Sequence, residues 1–209
     1  QYSFKGTDFS HADFDHASVL GADFREAIVT YTNFYDSELT DAQMGYMDLT
    51  STILTEANLT NSILTGVYLS GNDLTGTMLI DTDLTGADLT NAVLAGAILT
   101  GADLSNANLE NVDLSNMDLT GTILAGVDLS NKDLTGIILT GADLSRSDLS
   151  NTILTGADLS NAVLEPTNLI DADLRNANLS DAHLKNSLLV DANLSYAILT
   201  GADLTNAVL

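Results

Sequence analysis

Every fifth residue from Phe4 to Leu209 is Phe, Leu, Val or Met, 42 positions without a break, and from Leu49 onward all 33 are Leu. A period of five fits neither regular element. Five residues turn an α-helix by about 140°, which scatters the leucines around the cylinder. Along a single strand, five steps reverse the face each time. The chain must therefore bend once per repeat and wind into a solenoid.

The remaining positions say how it bends. With the large apolar residue as position i, position i−2 is mostly small, as in Ala12, Ala22, Ala87, Ala102 and Ala107. Position i−1 is mostly Asp or Asn, as in Asp83, Asp88, Asp103 and Asn108. A short extended piece points i and i−2 inward and i−1 outward. The charges obey this. Of 29 acids, 18 lie at i−1, the other 11 lie at i+1 or i+2, and none is at i or i−2. Fourteen of the 15 glycines sit at i+2, a site shared with Asn61, Asn91, Asn106 and Asn111. A type II turn needs φ > 0 at its third residue, which Gly and Asn supply at little cost. Each repeat thus reads as a short bridge followed by a turn.

The run GADLSNANLENVDLSNMDLTG, residues 101–121, resembles the pentapeptide-repeat family, whose unit is Ala-(Asp/Asn)-Leu-x-x. The resemblance covers the whole chain. It implies an all-β fold, a right-handed quadrilateral parallel β-helix with four repeats per coil, so that residues 20 apart stack; 42 repeats then make about 10 coils. The four-sidedness is what the resemblance implies. It is not visible as a 20-residue periodicity, because the near-copies at 85–94, 155–164 and 200–209 are not spaced by multiples of 20. One domain over 1–209 is expected. Residues 1–48 form less regular coils holding all five Phe and the non-Leu centres Val19, Val29 and Met44, and residues 49–209 form regular Leu-centred coils. The sequence shows no capping helix, so exposed coil edges are expected, with end-to-end self-association, stacking at the ends or a longer native chain as the ways to cover them.

Charge bounds the partners. Lys and Arg number 6 against 29 Asp and Glu, a net −23. That balance argues against direct contact with nucleic acid or an anionic membrane and favours protein partners, basic or DNA-binding ones in particular. No apolar run approaches the length of a membrane span. Without cysteine there is no disulfide, thiolate metal site or thiol nucleophile. The three histidines, His11, His16 and His183, assemble no triad. The stacked acids offer none of the shaped oxygen-rich loops that Ca²⁺ requires. No cofactor, metal site or catalytic set is expected, and the chain reads as a non-catalytic interaction or structural module. The resemblance implies a second role, since certain members bind type II topoisomerases such as gyrase in place of DNA.

Three features single out a candidate surface. Some i−1 sites are apolar, and with 20-residue stacking Met78 adjoins Ile98. Asp83 then stacks on Asp103, and Asp113 on Asp133, as like-charge pairs. Met78, Ile98, Asp83, Asp103, Asp113 and Asp133 are therefore the candidate interaction residues. Lys132 stands apart: it occupies an inward i−2 position, where no acid shares its register. A buried unpaired ammonium costs several kcal/mol, so the stem is expected to pack inward while the charge emerges at the corner.

Overall fold

The computed structural model describes residues 2–209, and no helix occurs among them. It divides into two compact units, Gln1–Val112 and Asp113–Leu209. In both, residues 20 apart in sequence lie side by side in parallel bridges. The first unit carries four such ladders. One runs Ser3, Asp23, Gln43, Ile63, Asp83, Asp103; the next begins at Asp8, the third at Asp13 and the fourth at Ser18. The second unit repeats the pattern, for example along Ile123, Asp143, Val163, His183, Asp203. Four ladders per 20 residues make each unit a four-faced β-helix, as the resemblance implied.

A regular rung joins two circuits by a pair of backbone hydrogen bonds. Asp83 N–H donates to the Ser62 carbonyl at 3.0 Å, and Leu64 N–H to the Asp83 carbonyl at 2.7 Å. Between rungs, the N–H of i+3 donates to the carbonyl of position i and closes a turn, as from Ala87 to Leu84 at 3.0 Å. Among the described residues φ is positive at every i+2 position except Ser51 and Pro166. Pro166 cannot adopt a positive φ. Its peptide bond with Glu165 is cis, the Thr167 N–H turns to Ser187 Oγ at 3.4 Å, and Arg146 N–H reaches the Pro166 carbonyl at 2.6 Å.

The i and i−2 side chains build the core. Leu104, Leu109 and Leu114 are buried, as are Ala87 and Ala102. Each buried leucine adds about 1.5–3 kcal/mol through loss of apolar surface to water. In the first circuits phenylalanines do this work. The Phe14 and Phe34 rings stack 5.1 Å apart, and Phe24 meets Phe34 edge-on at 5.6 Å. Where Ser or Thr takes the inward i−2 site its hydroxyl is satisfied by a carbonyl of position i. Thr77 Oγ1 donates to the Leu74 carbonyl at 2.7 Å, and Thr82 Oγ1 reaches the Leu59 carbonyl one circuit away at 2.8 Å.

The left-handed turn residue is the most direct test of this account. Gly141 has φ of 65° and nothing within 4 Å of where a Cβ would stand. Gly141→Val should lower stability by about 1–2 kcal/mol from backbone conformation alone, while Gly141→Asn should stay within about 0.5 kcal/mol. Equal denaturation midpoints for the two variants would show that turn handedness is not the constraint.

Candidate interaction surfaces

The outward i−1 residue does more than face solvent. Its side-chain oxygen accepts the backbone N–H two residues on, at the start of the turn. Asp83 Oδ1 takes Thr85 N–H at 2.9 Å and Asp103 Oδ1 takes Ser105 N–H at 2.9 Å. Often the i+1 hydroxyl joins the same oxygen, as Thr90 Oγ1 does on Asp88 at 2.6 Å. This local capping explains why the code reads Asp/Asn, Leu, Ser/Thr. The sequence places these acids outward without revealing this role, although the two-residue spacing to Ser or Thr carries the signal.

Like charges on neighbouring rungs repel, and amides interleave with them. Asn33 Nδ2 donates to Asp13 Oδ1 at 2.9 Å, and Asn168 Nδ2 to Asp148 Oδ1 at 2.9 Å, each across one circuit. Arginine does the same within a repeat. Arg25 forks onto Asp23 at 2.8 and 2.7 Å, and Arg175 onto Asp173 at 2.8 and 2.6 Å. Those guanidinium hydrogen bonds, opposed by partial burial, pull the Asp23 and Asp173 carboxyls from 3.8 to about 2.

Four of the six candidate residues come together in the first unit. Met78 bridges Ile98 and, on the following face, Asp83 bridges Asp103. Ile98 is exposed, whereas Met78, Asp83 and Asp103 are half-buried. Burial pushes the Asp83 carboxyl up, but the Thr65 hydroxyl at 2.7 Å and the Thr85 N–H outweigh it and hold the carboxyl below its ordinary value. Asp113 and Asp133 belong to the second unit, where Asp133 bridges Ile153, but among the described residues the expected Asp113–Asp133 pair forms no bridge. Asp133 is lowered chiefly by the Thr135 hydroxyl, and the Asp113 charge works against that.

Lys132 is half-buried. Asp113 is lowered first by Ser115 N–H and hydroxyl, and the Lys132 charge adds to the effect. Asp128 is lowered by the Ser130 hydroxyl and N–H, again with Lys132 behind them. The ammonium thus acts on outward acids on two faces of its unit. Among the histidines, His11 stacks on Tyr31 at 5.2 Å. His16 lies between two carboxylates, Nδ1 2.6 Å from Asp15 and Nε2 3.2 Å from Asp36. Among the described residues no group of three His, Cys, Asp or Glu side chains could hold a metal ion.

These features define a solenoid whose backbone is engaged in rungs and whose outward side chains form columns that mix acids, amides and apolar residues. The chain belongs to the pentapeptide-repeat family: the family's model matches residues 3–30, 21–55, 52–91, 87–126, 128–165 and 167–206. It is similar to the solved structure of HetL, a pentapeptide repeat protein involved in heterocyst differentiation regulation from the cyanobacterium Nostoc sp. strain PCC 7120. The two are 32% identical over 95% of this chain and 90% of that one, with a TM-score of 0.55. QnrB1, a plasmid-mediated fluoroquinolone resistance protein, is 20% identical over 98% of this chain and 92% of that one, with a TM-score of 0.31. No curated protein matches the chain.

Two titrations check the electrostatics. The Asp173 carboxyl should titrate near 2 by NMR and move back toward 3.8 in Arg175→Ala. The folded value lies below the unfolded one, so the contribution to stability is present above about pH 4 and is lost as pH falls through 2. Arg175→Ala should therefore flatten the acid limb of the stability curve and leave its slope at neutral pH unchanged. Lys132→Ala should raise the Asp113 and Asp128 carboxyls while changing stability by less than about 1 kcal/mol. A loss several times larger would mark the lysine as a buried structural charge.

Proposed function

We propose that the chain is a non-catalytic protein-interaction module that recognises basic or DNA-binding protein partners through its outward columns. The observation that carries this reading is the separation of roles along the repeat. The inward positions i and i−2 hold no acid at all, while all 29 acids stand outward or at corners. Pentapeptide-repeat proteins are structural and interaction modules. The likeness to HetL, a protein involved in regulating differentiation, supports a regulatory rather than a purely mechanical role. Met78, Ile98, Asp83 and Asp103 are the proposed contact residues. There the exposed Ile98 offers apolar surface beside two acids, the mixture expected of a protein-binding face.

A second reading is favoured by the net charge of −23: an acidic mimic of DNA that occupies a type II topoisomerase such as gyrase. One pair of measurements separates the two. Micromolar protein should leave gyrase supercoiling unaffected under the first reading and inhibit it under the second. For the first reading, Asp83→Asn combined with Asp103→Asn should abolish recovery of cross-linked partners, while Asp143→Asn with Asp158→Asn in the second unit should preserve it. Equal loss in both double variants would reduce the interaction to net charge and overturn the assigned surface.

A further inference from the structure

One face of the first unit is unzipped between two circuits. Residues 23–42 and 43–62 are joined by intact rungs on three faces, such as Phe24 N–H to Gln43 carbonyl at 2.9 Å, Ile53 to Thr32 at 3.1 Å and Leu39 to Asn58 at 2.8 Å. On the remaining face Ile28 and Asp48 form no bridge. Among the described residues, the N–H groups of Glu26, Val29 and Asp48 donate to no acceptor, and the carbonyls of Ala27, Gly45 and Asp48 accept no donor. Rungs below and above are intact: Phe9 N–H reaches Ile28 at 2.7 Å and Leu49 N–H reaches Tyr68 at 2.9 Å. Met47 is buried at the i−2 site beside this open rung, between the smaller Ala27 and Val67 in its column. The gap opens into a hollow of about 380 Å³ lined by Glu26, Ala27, Gly45, Tyr46, Met47 and Asp48 among others.

The lining has a definite chemistry. Arg25 is folded onto its own Asp23 and adds no free cation. Glu26 is engaged by Lys5 at 3.1 Å. Asp48 Oδ1 takes the Thr50 N–H and hydroxyl at 3.0 and 2.7 Å, which leaves Oδ2 without a donor among the described residues. The Tyr46 ring is 76% exposed, yet it is seated against Gly66, where any Cβ would meet it at 2.7 Å. The slit therefore presents one open carboxylate oxygen, three open carbonyls and three open N–H groups, while the Tyr46 ring leans the other way, onto Gly66. Ile28 and Tyr68 stand exposed on the same face.

Resting on the interaction reading above, we propose that this slit is a binding site for an arginine side chain of a basic protein segment. A guanidinium is planar and carries five donors, which suits a narrow gap lined by carbonyls and a carboxylate. The open N–H groups need acceptors, which the carbonyls of the same peptide supply. A lysine ammonium offers a rounder charge and fewer directed donors.

The test is an amide-resolved NMR titration with acetylated, amidated Gly-Gly-Arg-Gly-Gly, alongside the lysine and citrulline peptides. The arginine peptide should shift the amides of Glu26, Val29 and Asp48 and bind about tenfold tighter than the neutral citrulline peptide. Asp48→Asn should weaken it to a similar extent. Asp88→Asn should not, because Asp88 sits on the same face with the same Thr90 contacts but at an intact Tyr68–Asp88 rung. Lysine binding as tight as arginine, an equal effect of Asp88→Asn, or no shift at the slit with the wild-type protein would each overturn the proposal. The last outcome leaves the interaction reading standing, because that reading is tested by partner recovery at Asp83 and Asp103.

Discussion

A backbone that turns every five residues cannot bond to its own sequence neighbours along the bridges. It finds its partners one circuit away, and the parallel rung at a spacing of 20 residues is the interaction on which everything else rests. Each rung fixes the level of four corners, and each corner must turn the chain with a left-handed residue at i+2. Once rungs and corners are set, the side chains at i and i−2 have no choice but to meet inside. The leucine column is therefore as much a consequence of the rungs as a cause of them: burial drives the collapse, and the hydrogen bonds give it its register.

The outward surface follows from the same geometry. A rung spacing of about 4.8 Å brings i−1 side chains of successive circuits into contact range. A column made only of aspartates would repel itself. The structure dilutes the charge in three ways: by amides such as Asn178 on Asp158 at 3.1 Å, by arginines folded onto their own repeat, and by apolar rungs such as Ile63 between Gln43 and Asp83. Each aspartate is also tied to its own turn, so the acidic surface is rigid at its base. A partner that docks on it meets carboxylates whose positions are fixed before binding, which reduces the ordering cost of association.

Much of this was legible in the sequence. The solenoid, the inward and outward positions and the left-handed corner all follow from a period of five and from where the glycines and acids fall. The 20-residue register did not follow, because the repeat is too uniform to show a longer period and only the resemblance supplied it. The Asp83–Asp103 and Met78–Ile98 pairs follow once that register is given. The slit was hidden for a different reason. Gly45, the one glycine outside i+2, and Met47, one bulky i−2 residue among several, are each unremarkable alone. Neither marks the Ile28–Asp48 rung as open, which shows only once the circuits are stacked.

At some departures from the code, unlike the Ile28–Asp48 rung, the chain finds a local substitute for the lost contact. Asn72 stands inward at i−2 on a face where Ile53 and Asp73 form no bridge, and its Nδ2 donates to the carbonyls of Leu49 and Thr52 at 3.0 and 3.2 Å. It takes the acceptor that the Asp73 N–H would otherwise use. Pro166 gives up one turn hydrogen bond, and the Thr167 N–H finds a serine hydroxyl instead. Lys132 is half-buried in its column, and its charge helps to lower the Asp113 and Asp128 carboxyls. Because each circuit contacts only its neighbours, such a departure stays local and leaves the remaining rungs intact. A uniform solenoid can therefore acquire a specific site without a loop insertion. In the proposed arginine site a single open rung frees the backbone groups that would do the recognising.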